Sequence, residues 1–100
     1  MIVVNATFET TAAAIEAMKP AILAMQTASR AEKGCEDYTF SVELENPNVM
    51  RITERWESMA ILQAHFQTPH MAAFRAAMAA NPPKGVVAHF YEAKEVAMPT

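Results

Sequence analysis

Apolar residues recur along this chain in two periods, and the switches between them mark out seven elements. Ile2 to Phe8 is β-branched and free of Gly and Pro, with Val3 and Val4 apolar on successive positions, so it reads as a strand apolar on both faces. Thr10 or Thr11 can cap the helix that follows, in which Ile15, Met18, Ile22 and Met25 return every three or four residues as one apolar stripe. Pro20 removes the hydrogen bond to the Glu16 carbonyl and crowds that turn, which predicts a kink between Glu16 and Pro20. The helix should end by Lys33, with Gly34 taking the position that tolerates positive φ.

Period two then takes over. Tyr38, Phe40, Val42 and Leu44 alternate with Asp37, Thr39, Ser41 and Glu43, as in a strand with one buried and one wet face. Glu45-Asn46-Pro47-Asn48 has turn chemistry, so Val49 to Trp56 should return antiparallel as the second strand of a hairpin. Met50, Ile52, Glu54 and Trp56 share one face of it, and Arg51, Thr53 and Arg55 the other. Ser58 caps a short helix through Phe66. Thr68 caps another with Pro69 at its first position, where a missing N–H costs little, and Met71, Phe74 and Met78 form its apolar side. Asn81-Pro82-Pro83 stops that helix, and a last strand is expected from about Gly85 to Val96, bulky on both faces at Val86, Val87, Phe90 and Tyr91.

The order β-α-β-β-α-β, with its second helical element split in two, predicts a ferredoxin-like α+β fold: an antiparallel sheet with helices on one face. One hundred residues make a single domain, 1–100. The strands at both ends are apolar on both faces, so the second sheet face should be covered as well. For a domain this small, a second copy is the simplest cover, giving a homodimer through sheet faces. His89 and Tyr91, on one face of the last strand, are expected to meet that partner.

Composition narrows the function. A net charge of −3 leaves no basic footprint for nucleic acid or an anionic membrane, and no apolar run is long enough to span a bilayer. The opening Met1-Ile2-Val3-Val4 lacks the basic region of a signal peptide. The single cysteine, Cys35, excludes an internal disulfide and a cysteine-cluster metal site, and it suits a reducing cytoplasm. With only Gly34 and Gly85 there is no glycine-rich phosphate cradle for a nucleotide or flavin, so no cofactor is expected. His65 and His70 are five apart across a helix break, a poor zinc spacing, and no metal is expected either. What remains is a set of polar groups beside apolar surface: Asn5, Tyr38, Trp56, His65, His70 and His89. Such a mixture suits a pocket for a flat aromatic molecule. Each also has a plainer reading. Asn5 can face a neighbouring backbone group, Trp56 and Tyr38 can be core, and His65 can be a satisfied structural histidine. In the first helical turn, His70 sits where a cation is disfavoured, and it can equally be idle at the surface. Glu54, Arg55 and Glu57 read as surface or interface ion pairs.

The run Glu54-Arg55-Trp56-Glu57-Ser58, then Leu62, His65, Thr68-Pro69-His70-Met71 and Phe74, resembles the antibiotic-biosynthesis-monooxygenase domain family, in particular its quinol-monooxygenase-like members. Lys33-Gly34-Cys35 leading into Tyr38 extends the likeness in order along nearly the whole chain. The resemblance implies a dimeric α/β barrel of ferredoxin-like protomers. It also implies, for some members, oxidation of electron-rich phenols by O2 without a bound cofactor. On that footing His65 or His70 takes the phenolic proton, Trp56 and Phe74 wall the ring, and Asn5 or Tyr38 hydrogen-bonds the developing oxyanion. Relatives on the same fold act as isomerases or degrade haem. The haem-degrading ones pair a first-strand asparagine with a strand-end tryptophan, but they also need an iron-ligating histidine where this chain has Phe74 and Arg75. A non-catalytic dimer that binds small aromatics is the third alternative. The whole reading requires a dry, aromatic-lined cavity beneath the split helical layer with an imidazole turned into it.

Overall fold

The computed structural model describes all 100 residues. Its elements are β1 (Ile2–Glu9), α1 (Ala12–Arg30), β2 (Cys35–Val42), β3 (Val49–Trp56), α2 (Met59–His65), α3 (Pro69–Ala80) and β4 (Gly85–Glu92). The four strands form one antiparallel sheet in the order β2-β3-β1-β4. The fold is therefore the expected ferredoxin-like α+β arrangement, with the second helical element divided into α2 and α3.

The side-chain period of two sorts each strand between the faces of the sheet. Ile2, Val4, Ala6 and Phe8 of β1 and Met50, Ile52, Glu54 and Trp56 of β3 point under the helices and are buried. Met18, Ile22 and Met25 of α1, Leu62 of α2 and Phe74 of α3 close the core from above. Burying one such large apolar side chain contributes about 1.5–3 kcal/mol, which holds the helices on this face and no other.

Helix ends follow local chemistry. Thr11, not Thr10, caps α1: its hydroxyl accepts the Ala14 N–H at 3.0 Å, while Thr10 is buried. The helical span passes through Pro20, which lies on the exposed side. After α1, Gly34 adopts φ +84°, and a Cβ at that position would collide with the Ile61 side chain. This turn sets the loop 31–34 over the start of β2, a placement the site depends on.

Three sequence expectations need correction. Leu44 is not in the strand: β2 ends at Val42, and Leu44 is fully exposed in the hairpin turn. Burial on β2 also fades along its length, from Tyr38 at 2% exposed to Val42 at 46%, because the helical layer does not reach that corner of the sheet. The last strand ends at Glu92 rather than Val96. Its only partner is β1, whose first residue, Ile2, pairs with Glu92, and one further bond runs from the Ala93 N–H to the Met1 carbonyl. On β4, Val86 and Phe90 face the helical side of the sheet and Val87, His89 and Tyr91 the other, and all are exposed.

Candidate functional site

Side chains from three segments meet on one oxygen atom. Glu32 lies in the loop after α1, His65 in the last turn of α2 and His70 in the first turn of α3. His65 Nδ1 is 2.6 Å from Glu32 Oε2, and His70 Nε2 is 2.8 Å from the same atom. The helix break between α2 and α3 makes this possible. The Thr68 hydroxyl donates to the His65 carbonyl at 2.7 Å and accepts the Met71 N–H at 3.3 Å, while Pro69 opens α3 without a wasted donor. One side chain thus ends one helix, starts the next, and fixes the angle between the two imidazoles.

Burial sets the protonation of His65. His65 is 1% exposed, and desolvation lowers its pKa below the ordinary 6.5, with the bond and charge of Glu32 offsetting part of that fall. At neutral pH the imidazole is therefore uncharged. With Nδ1–H donating to the carboxylate, its Nε2 carries a free lone pair. His70 and Glu32 are partly exposed, so the cluster runs from the interior to the surface.

Aromatic rings enclose the imidazole: Trp56 at a centroid distance of 4.5 Å, Tyr38 at 5.4 Å and Phe66 at 5.8 Å. Trp56 is wholly buried, and its Nε1–H donates to Glu54 Oε1 at 2.8 Å. That carboxyl is itself buried, which pushes its pKa up to about 7; the Trp56 hydrogen bond opposes the rise and the charge of Glu32 adds to it. Burial also raises the Tyr38 phenol well above its ordinary value. The charge of Glu54 adds to that rise, and the nearby Ser29 hydroxyl works against it. Ser29 Oγ is buried with no partner in good hydrogen-bonding geometry, a rare and costly state for a hydroxyl. Cys35, beside the cluster, is pushed up to about 11, first by burial and then by Glu32, which makes it an unreactive thiol.

The structure therefore brings together four of the six candidate residues: Trp56, Tyr38, His65 and His70. Phe74 stands off, packed on Phe40 at 5.5 Å, and reaches the cluster only through Phe40 and Tyr38, which are 5.7 Å apart. Asn5 does not join them. It is exposed on the opposite sheet face, where its side-chain oxygen accepts from the Thr53 hydroxyl at 3.2 Å, because Val4 and Ala6 take the inward positions on either side. Glu54 is not a surface ion pair; it is a buried acceptor for Trp56. The cavity expected beneath the split helical layer is absent. Trp56, Leu62, Tyr38 and His65 are each at most 2% exposed and fill the space beneath the split helical layer. A groove of about 270 Å³ lies instead between α1 and the β2–β3 corner, lined by Ile15, Ile22, Leu23, Gln26, Phe40 and Met50 among others.

Sequence reasoning missed Glu32, Ser29 and the role of Glu54. For Glu54 the signal was present, since the alternation of β3 puts it on the face of Ile52 and Trp56. For Glu32 the one hint was a carboxylate two residues before the turn glycine. Nothing local showed that a loop residue would meet two imidazoles more than thirty residues away.

Residues 1–77 match the sequence profile of the family described as Antibiotic biosynthesis monooxygenase. The chain belongs to that family. Among named relatives, it is 38% identical over 55 residues to the probable quinol monooxygenase YgiN of Escherichia coli and of Shigella flexneri, an alignment that takes in 47% of this chain and 53% of YgiN. The chain thus spans about half the length of the curated relatives it matches. Solved structures agree on the fold over nearly the whole length. A candidate antibiotic biosynthesis monooxygenase from Deinococcus radiodurans superposes with a TM-score of 0.89 at 23% identity, covering 100% of this chain and 99% of that one. Rv0793 from Mycobacterium tuberculosis gives 0.84 at 26% identity, covering 97% and 98%. Trp56, His65, His70 and Phe74 all lie within the family-matching stretch, as do Glu32 and Glu54.

Proposed function

We propose that this family member is a cofactor-independent monooxygenase that oxidises a quinol or another electron-rich polycyclic phenol with O2. The observation that carries the reading is the uncharged, buried His65, held by Glu32 with its second nitrogen free. A phenol gives its proton to His65 Nε2, and Glu32 stabilises the imidazolium that results. The phenolate is then electron-rich enough to pass one electron to triplet O2; the radical pair recombines on a ring carbon that bears hydrogen, the peroxide takes up a proton, and its O–O bond breaks with loss of water to leave a carbonyl, in the dry space that opens beside Trp56 when neighbouring rings move aside. Through the oxygen it shares with His65, Glu32 also links the imidazole to His70 near the surface, a route by which the proton leaves.

Trp56 supplies the flat wall of this space, and Glu54 holds its indole in place. The groove beside α1 is where a flat apolar ligand first settles. Phe40 lines that groove, and Phe40 and then Tyr38 separate it from His65, so productive binding requires those two rings to swing aside. The closed packing around His65 favours one second reading, a dimer that binds small aromatics in the groove without turning them over.

Oxygen-electrode assays on hydroquinones, naphthoquinols and anthrones, run with the protein in chelator, separate the two. The oxygenase reading expects quinol-dependent O2 uptake, reduced about a hundredfold or more in His65→Ala, because a general base contributes 10²–10⁴. Uptake that is unchanged in His65→Ala removes His65 from the scheme, and binding without uptake selects the second reading.

The assembly we propose is a homodimer through the open sheet face and β4. Val87 and Tyr91 add apolar area to that face, and Val86 and Phe90 leave β4 uncovered on its other side as well. A second copy would bury these rings and supply the cover that a 100-residue domain benefits from. Sedimentation at micromolar concentration should give twice the chain mass, and Tyr91→Arg should shift it towards monomer.

A further inference from the structure

Glu32, His65 and His70 offer one carboxylate oxygen and two imidazole nitrogens, all within 4.8 Å of one another. The spacing of the two histidines in sequence argues against a metal, but across the turn at Thr68 both rings reach the same carboxylate oxygen. We propose that these three residues bind one divalent first-row transition ion, zinc being the ion to test. Two nitrogens and a carboxylate oxygen are a donor set such ions accept, with a fourth position left for water. Metal–ligand bonds of about 2.0–2.2 Å to atoms this close call for side-chain adjustment rather than movement of the backbone. His65 Nδ1 and His70 Nε2 are already directed at the shared oxygen. On binding, the ion takes the place of the two N–H protons between them, each proton passing to the other nitrogen of its ring or to solvent. The partial exposure of Glu32 and His70 gives the ion a way in, while buried His65 forms the floor. Arg75, tethered to the Phe66 carbonyl at 3.0 Å, is a cation facing the cluster and works against binding. The binding claim stands independently of the proposed oxygenase activity. Its regulatory consequence rests on that activity: a bound ion engages the carboxylate and imidazole that handle the substrate proton, so zinc should inhibit.

Isothermal titration of chelator-stripped, full-length protein with Zn²⁺, paralleled by visible absorption with Co²⁺, tests the claim. The expected result is one saturable ion per chain, weakened at least about tenfold in His70→Ala and in Glu32→Gln and unaffected in His89→Ala, whose residue lies on the open sheet face. His70 is partly exposed, so its alanine variant should keep the fold, checked by circular dichroism, and decides the matter if Glu32→Gln does not. No saturable uptake, or His70→Ala binding as tightly as wild type, overturns the proposal. The two ideas fail separately. Zinc binding without any quinol oxidation in chelator sinks only the oxygenase, and oxidation in chelator with no zinc uptake sinks only the metal site.

Discussion

Replacing Glu54 by glutamine should make this protein more stable above neutral pH and flatten its stability profile. Glu54 is 8% exposed, and burial raises its carboxyl pKa from an ordinary 4.5 to about 7. A raised carboxyl pKa means the folded chain holds this proton more tightly than the unfolded chain does. Its contribution is therefore fully present below about pH 4.5 and is lost as pH climbs to about 7. The difference between 4.5 and about 7, at 1.36 kcal/mol per pK unit, corresponds to roughly 3 kcal/mol lost over that window. Glutamine has the same shape and can still accept the Trp56 N–H, but it has no proton to lose. Its amide brings N–H donors that need partners, a penalty on the order of 1 kcal/mol. The net expectation is a Glu54→Gln variant about 2 kcal/mol more stable than wild type at pH 8, with no advantage at pH 5. Urea unfolding at pH 5, 6, 7 and 8, followed by the fluorescence of the single tryptophan and run at one fixed protein concentration, measures this directly. The buried His65 contributes with the opposite sign in both proteins and cancels in the comparison. Parallel pH profiles for the two proteins would refute a buried, proton-holding Glu54.

Two further outcomes follow from the same cluster. The acid limb of kcat/KM for quinol oxidation should fall below pH 6.5, because burial lowers the pKa of His65; Glu32→Gln removes a bond and a charge that raise it, so the limb should move further down, and a limb that moves up would contradict the pairing. Thr68→Ala removes both the cap of α3 and the tie to the His65 carbonyl, and should lower stability by about 1–2 kcal/mol in thermal or urea unfolding. It should also impair turnover by loosening the angle between the two imidazoles, whereas a neutral substitution would show that Thr68 does not set their geometry.

The order and type of every element could be read in the sequence, because the period of apolar residues and the capping side chains act within a few residues of themselves. Thr11, Gly34, Ser58, Thr68 and Pro69 each do locally what their chemistry dictates. The inward faces of β1 and β3 were equally plain, since a period of two fixes them once one face is buried. Where an element ends against another was not. β4 ends at Glu92, where its ladder with β1 ends at the Ile2 pair, and Val42 is half exposed because the helical layer falls short of that corner. The site divides along the same line. Trp56, His65 and His70 stood out as residue types in a suggestive order, but Asn5 was placed by chemistry and excluded by register, pointing away from all of them. Glu32, with nothing unusual around it, became the centre of the cluster only when the Gly34 turn and the Thr68 break brought residues 32, 65 and 70 to one point. Local sequence governs hydrogen bonds and side-chain periods over a few residues. The meeting of distant polar groups depends on how whole elements pack, and here that packing decided both which side chains meet and that rings rather than open space surround them.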